Sequence, residues 1–175
     1  MKPAAGCASR TRRRAAHELS IRKRREVAQT YSRDELVARL VRAGELEVSG
    51  EHPDEVGDYF APEFRFHGPG GFESDYAGLT SYFESIRNAF EDRSIRRGII
   101  VVDGSTIACQ TWIEGTFVRE FTQSPAGPIP PNGRRIVFDL INIFQMDDDG
   151  RLVEEYVRTD NRTLLEQLRA PKRTE

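Results

Sequence analysis

The stretch GRLVEEYVRTDNRTLLEQL (residues 150–168) decides how this sequence is read. It opens with the two-residue alternation of a strand and closes with the apolar spacing of a helix. Alternation puts Leu152, Glu154, Tyr156, Arg158 and Asp160 on one face, and Val153, Glu155, Val157 and Thr159 on the other. Both faces mix polar and apolar residues, so alternation leaves open which one points inward. With Tyr156 inward, Arg158 and Asp160 share its face and must satisfy each other or a ligand, because an unpaired buried charge is costly. Asp160 is equally placed to cap the helix NRTLLEQL by accepting its first backbone N–H groups. Capping and acid/base chemistry compete for one carboxylate.

Immediately upstream, DDDG is a turn and RIVFDLINIFQM (135–146) a strand with apolar residues on both faces, which predicts that both sides are covered. Phe138, Leu140, Asn142, Phe144 and Met146 share one of those faces. The lone amide of Asn142 needs a partner there, in the core or in a pocket. IRRGIIVVDGSTIACQTWIEGTFVREF (95–121) reads as two long strands turning at Asp103-Gly104. Trp112 and Glu114 share a face with Gln110 and Thr116. Trp112 fits core or pocket wall, and Glu114 fits pocket lining or outer surface. Between these strands, FTQSPAGPIPPNGRR (121–135) is a long Pro/Gly loop, expected at the pocket mouth as a lid or as an inert insertion.

The first half is helical. SRDELVARLVRAGELEVSG (32–50) has Ser32 as a cap with Glu35 three residues on. Leu36, Val37, Leu40 and Val41 give it an apolar stripe, and Gly50 ends it. PDEVGDYF (53–60) predicts a second short helix, stopped by Pro62. EFRFHG (63–68) alternates like a half-buried strand. GLTSYFESIRNAFEDR (78–93) carries Leu79, Tyr82, Phe83, Ile86 and Phe90 at helical spacing. Helices followed by a meandering antiparallel sheet make an α+β domain, and a curved sheet over helices leaves room for a pocket.

Composition supports one globular domain: 175 residues, with no apolar run long enough to cross a bilayer. The net charge of −2 is unevenly spread. Residues 1–30 hold nine Lys/Arg against Glu18 and Glu26, while the rest of the chain is acidic. This predicts a basic arm over 1–30, partly helical or disordered. No aromatics interleave its arginines, so nucleic acid is not the expected partner. No apolar stretch follows them, so no export signal is expected. Cys7 and Cys109 are the only cysteines and are not placed to pair, which fits a cytoplasmic protein.

Several chemistries drop out. His17, His52 and His67 lack ligand spacing, so no metal is expected. Neither a phosphate-cradling Gly-rich loop nor a serine elbow is present. His67, at the end of the first strand, is a candidate acid or base or a structural hydrogen-bonder. What remains is carboxylate-centred acid/base chemistry without a cofactor.

The C-terminal half, PPNGRRIVFDLINIFQMDDDGRLVEEYVRTDNRTLLEQL, resembles the signature of SnoaL-like polyketide cyclases, within the nuclear transport factor two-like (cystatin-like cone) superfamily. That signature runs from a Pro-Pro-x-Gly-Arg loop through Ile-x-Ile-Phe and Asp-Gly to Val-Glu-Glu-aromatic and a Leu-Leu-x-Gln-Leu helix. YFAPEFRFHGPG, GLTSYFESIRNAF and IEGTF are similar to the family's earlier elements. The resemblance runs from about Arg33 to Leu168. It implies a curved antiparallel sheet wrapped around the N-terminal helices, forming a cone with an internal pocket over residues 31–170, with 171–175 as a tail. It implies Asp160 as the general acid/base, with Arg158 and His67 beside it in the catalytic set. The substrate-binding set then comprises Asn142, Tyr156, Trp112, Glu114, Phe138 and Phe83. Asn142 stands where the family often has Asp, Phe117 where a histidine is common, Tyr156 for the usual Trp, and Val157 where an acid is frequent.

The activity implied is intramolecular aldol-type ring closure of a hydrophobic, polyketide-like substrate in natural-product biosynthesis, with no cofactor. A homodimer through the sheet is the implied assembly. Alternatives on the same fold are an epoxide hydrolase or isomerase, for which Arg158 and Asp160 supply one pair and no mid-sheet Arg-x-Asp supplies the rest, or a non-catalytic ligand-binding or dimerisation module.

Overall fold

The computed structural model describes residues 31–172; the basic arm expected over 1–30 lies outside them. Helix α1 spans Arg33–Ser49 and starts as the sequence requires: Ser32 accepts from the Glu35 amide while the Glu35 carboxylate accepts from the Ser32 amide. Gly50 ends the helix in the left-handed conformation, its N–H bonded to the Leu46 carbonyl. The segment read as a second helix forms only a single 3-10 turn, Val56–Asp58. Strand β1 (Phe60–His67) begins directly after it and runs through Pro62. Proline is tolerated because the pairing of β1 is irregular between Phe60 and Arg65, where no ladder bond is lost.

A short β2 (Glu73–Asp75) leads into α2 (Tyr76–Ala89), which Asp75 caps through the Gly78 amide. Phe90, counted above in the helical stripe, is instead the first residue of β3 (Phe90–Asp103). Its ring serves the core equally well there, stacking on Phe117 at 5.0 Å. Strands β4 (Thr106–Phe117), β5 (Arg135–Met146) and β6 (Leu152–Thr159) follow, and α3 (Asn161–Leu168) closes the chain.

The six strands form one sheet in the order β2-β1-β6-β5-β4-β3. It is mixed rather than wholly antiparallel, since β1 runs parallel to β6. The first and last strands of the domain therefore lie side by side, and the helices cover the concave face. Buried apolar residues cluster at both ends of the cone: Leu36, Leu40, Phe60 and Phe64 among one group, Phe90, Phe117, Phe121 and Phe138 among the other. Both faces of β5 are apolar, but only one is covered among the described residues. Ile141 and Ile143 on its convex face are exposed, as are Val101 on β3 and Tyr156 on β6.

The β4–β5 connection is anchored rather than loose. Phe121 is fully buried and bridges Ile129, and Asn132 donates to the carbonyls of Gln167, Leu168 and Ala170. Gln123, Ser124 and Pro125 from this loop reach the internal cavity.

Candidate active site

The pairing of β6 with β5 decides which side chains enter the cone. Glu154 pairs with Gln145 and Leu152 with Met146, so Val153 is an extra residue in the ladder. Beyond this bulge Glu155, Val157 and Thr159 point inward, and Glu154, Tyr156, Arg158 and Asp160 point out. The reading with Tyr156 inward is therefore reversed.

Asp160 is exposed and caps α3. Its carboxylate accepts from the Thr163 hydroxyl at 2.6 Å and from the amides of Thr163 and Arg162 at 3.1 Å each, and these bonds hold its pKa below the ordinary carboxylate value. Arg158 is spent on backbone carbonyls, of Val157 at 2.6 Å and Gly68 at 3.4 Å. His67 stacks on Tyr156 at 4.4 Å on the convex side, with Nδ1 3.5 Å from Glu73. Tyr156 donates to Glu154. Trp112 lies beneath the Arg96 guanidinium on the convex face, and Glu114 bonds Arg96 and Arg135 there, which lowers its pKa. None of these six lines the cavity. Replacing Asp160 with Ala should lower the melting temperature by a few degrees and leave proton-transfer activity intact. Parallel melting and activity measurements check it, and lost activity at unchanged stability would count against the capping assignment.

The cavity occupies about 380 Å³ between the concave face of the sheet, α1, α2 and the 123–125 loop. Phe83, Phe138 and Asn142 line it, together with Leu40, Ile86, Ile113, Leu140 and Phe144. Its polar groups are few. Glu155 projects from β6 and accepts from Asn142 Nδ2 at 2.7 Å. Protein surrounds it on every side except the cavity, and this burial pushes its pKa up to about 7. The Arg97 charge and the Asn142 bond pull it partly back, while Glu47 pushes it further up. Arg97, from β3, donates to the Thr111 hydroxyl, lies 3.8 Å from Cys109 Sγ and packs its guanidinium 5.4 Å from the Phe144 ring. Glu47, on α1, is 5 % exposed, and burial raises its pKa against the hydroxyl of Tyr76 and the charge of Arg87. A half-buried carboxylate poised near neutrality beside a guanidinium, in a largely apolar chamber, can take up and return one proton.

Glu155, Arg97, Thr111 and Glu47 escaped the sequence reading. Signals for two of them were present. Glu47 continues the stripe Leu36, Leu40, Ala43 at helical spacing, so its burial follows from the helix period. Asn142 required a partner, and Glu155 is an inward neighbour of it on the adjacent strand. Among the described residues, no group of three or more His, Cys, Asp or Glu side chains is arranged to hold a metal ion, and no helix is long and apolar enough to cross a membrane.

Solved structures share this cone. IdmH from Streptomyces antibioticus, a proposed polyketide cyclase, is 26% identical with a TM-score of 0.65 over 78% of this chain and 99% of that one. A proposed SnoaL-like polyketide cyclase from Jannaschia sp. CCS1 is 17% identical with a TM-score of 0.65, over 82% and 99% of the two chains. AclR from Streptomyces galilaeus, a proposed hydroxylase, is 20% identical with the same score, over 78% and 97%. The last two likenesses speak to the fold alone. No curated protein sequence matches. The SnoaL-like domain model matches residues 37–155, from the first helix to Glu155. On that match, covering more than half its length, the chain belongs to the SnoaL-like family.

Proposed function

We propose that this protein is a cofactor-independent cyclase acting on a hydrophobic, polyketide-like β-dicarbonyl substrate, with Glu155 as its acid/base. The Glu155 carboxylate takes the acidic C–H proton between two carbonyls. The enolate attacks a second carbonyl of the same molecule, forming the C–C bond, and Glu155 returns the proton to the new alkoxide. One carboxylate suffices because the C–H is already acidified by enolate delocalisation and the chamber holds the reacting carbons together. Arg97 faces the oxygen on which negative charge collects. The role that the resemblance implies for Asp160 passes to Glu155, because the cap occupies Asp160 outside the chamber.

The observation that carries this reading is the placement of Glu155, which lines the largely apolar cavity with Arg97 and accepts from Asn142 at 2.7 Å, where burial pushes its pKa up to about 7. Its test is solvent deuterium exchange into an acyclic 1,3-diketone, which is un-ionised near neutral pH and needs the proton-transfer step alone. The enzyme-dependent rate should rise with pH through about 7, as Glu155 ionises, and then level off. Exchange without an inflection in that region would exclude Glu155 as the base.

A further inference from the structure

Of the described residues that line the chamber, three are exposed to solvent: Phe72, Gln123 and Pro125. The chamber therefore opens between the turn before β2 and the β4–β5 connection. The charged side chains among its described lining residues are Glu47, Arg97 and Glu155, so the exposed rim is uncharged. Phe72 is the anomaly there, a phenyl ring left 59 % exposed. Its place is fixed by backbone bonds. The Gly68 N–H donates to the Phe72 carbonyl at 2.8 Å and the Phe72 N–H to the Pro69 carbonyl at 3.3 Å, while Gly70 and Gly71 turn the chain at positive φ. Gly68 leaves space for two rings, since a Cβ on it would lie 3.0 Å from Phe66 Cε1 and 3.2 Å from Phe72 Cδ1. Those rings meet edge to face with centroids 6.2 Å apart. Phe66 and Pro69 also line the chamber, so its apolar wall continues outward to Phe72. The facing rim is held as well: the Gln123 amide donates to the carbonyl and the hydroxyl of Ser81, and the buried Phe121 and Ser124 flank it.

We propose that the Phe72 rim binds a neutral hydrocarbon tail of the substrate, which leaves the chamber over Phe66, Pro69 and Phe72 while the β-dicarbonyl end stays inside. This rests on the reading of the chamber as the reaction site and deepens it: the substrate class is a β-dicarbonyl with an elongated apolar chain, and Phe72 is the residue that selects for the chain. The occupant follows from continuity and from charge. An apolar strip that runs from an enclosed cavity out into water is covered by a ligand that spans both, and covering it removes apolar surface from water. A charged tail would find no counter-charge among the lining residues of the rim. Because both sides of the opening are held by their own hydrogen bonds, the tail lies across a preformed ledge, and the ordering cost falls on the ligand alone.

The test is titration calorimetry of the full chain with a series of acyclic diones whose n-alkyl tail lengthens from pentane-2,4-dione to undecane-2,4-dione, all neutral at the mildly acidic pH used. Wild-type affinity should rise by about two- to fourfold per added methylene through the end of the series. Phe72→Ser should diverge from that line as the tail lengthens, binding undecane-2,4-dione about tenfold more weakly than the wild type. Phe72→Trp, which keeps an aromatic surface on the ledge, should hold the wild-type line, and this keeps the test open should the serine variant fold poorly. Ile99→Ser removes a side chain that is still more exposed, at 73 %, but does not line the chamber, and it should bind the series as the wild type does. A wild-type affinity that stops rising before the long diones would overturn the inference. So would a Phe72→Ser line that superimposes on the wild type or drops equally at every length, an equal loss in Ile99→Ser, or no binding of any dione. The two readings fail separately. Tail-dependent binding alongside exchange that ignores Glu155→Gln removes the acid/base assignment and leaves the rim. Glu155-dependent exchange without tail dependence removes the rim alone.

Discussion

Glu155→Gln should abolish diketone exchange, lowering the rate by about a thousandfold or more, while making the protein more stable above neutral pH. The loss follows from removing the carboxylate that lines the cavity beside Arg97 and Asn142. The variant is close to isosteric, and its amide oxygen can still accept from Asn142 Nδ2. The stability gain follows from linkage. In the unfolded chain Glu155 ionises at the ordinary value of 4.5, whereas in the folded chain it holds its proton up to about 7. Between those values the folded state binds more protons, so stability falls as pH rises through the window and stays reduced above it. The whole shift corresponds to about 3 kcal/mol above pH 7, an order-of-magnitude figure, less whatever the buried amide costs. At pH 4 both states hold the proton and the difference vanishes. Denaturant melts of the two proteins at pH 4.5 and pH 8, set beside their exchange rates, check both halves. A variant that lost activity together with stability at pH 8 would point to structural damage rather than removal of a base.

The same numbers explain why an inactive variant should be the sturdier one. A carboxylate held near neutral pKa is a group whose charged form the fold disfavours, and that cost is what makes it a competent base at neutral pH. Asp160 is the opposite case. Its hydrogen bonds lower its pKa and stabilise the helix it caps, which leaves it a poor proton acceptor near neutrality.

How far the sequence could be read follows from the range of the interactions involved. Local devices were legible: the Ser32–Glu35 box, the Gly50 stop, the Asp103-Gly104 hairpin and the Asp160 cap all involve residues a few positions apart. The alternation of β5 was legible too, but with Ile141 and Ile143 opposite Phe138, Phe144 and Met146 both faces read as covered. Long-range pairing was not. Nothing within β1 announces that it will lie parallel to β6, some ninety residues later. The inward face of β6 turned on one extra residue, Val153, in its ladder with β5, and a bulge inverts every side chain beyond it. With mixed polarity on both faces, hydrophobic patterning had no vote. That is why Arg158 and Asp160 were expected where Glu155 stands. Arg97 was hidden for a related reason, since its neighbour Arg96 carries the same charge and only the register with Thr111 sends one into the cone and the other onto Trp112.

Gly44→Ala should cost the enzyme between tenfold and a hundredfold in exchange rate while leaving the fold as stable as before or more so. Glycine in the middle of a 17-residue helix is unfavourable by about 1 kcal/mol relative to alanine, so its place in α1 needs a reason. A methyl group there would lie 2.6 Å from Arg97 Nη2 and 3.0 Å from Ile95 Cδ1. The guanidinium is the far end of a flexible side chain, so it moves aside rather than breaking the helix. It then leaves Thr111 and the Phe144 ring, and the charge that restrains the Glu155 pKa moves off. The helix keeps its gain in propensity, and the site loses its oxyanion partner. Two readouts separate this from a packing defect. The melting temperature should hold or rise, and the inflection in the pH profile of exchange should move upward from about 7, because the largest force on Glu155, its burial, then acts with less opposition. An unmoved inflection would mean that Arg97 does not need the space Gly44 leaves.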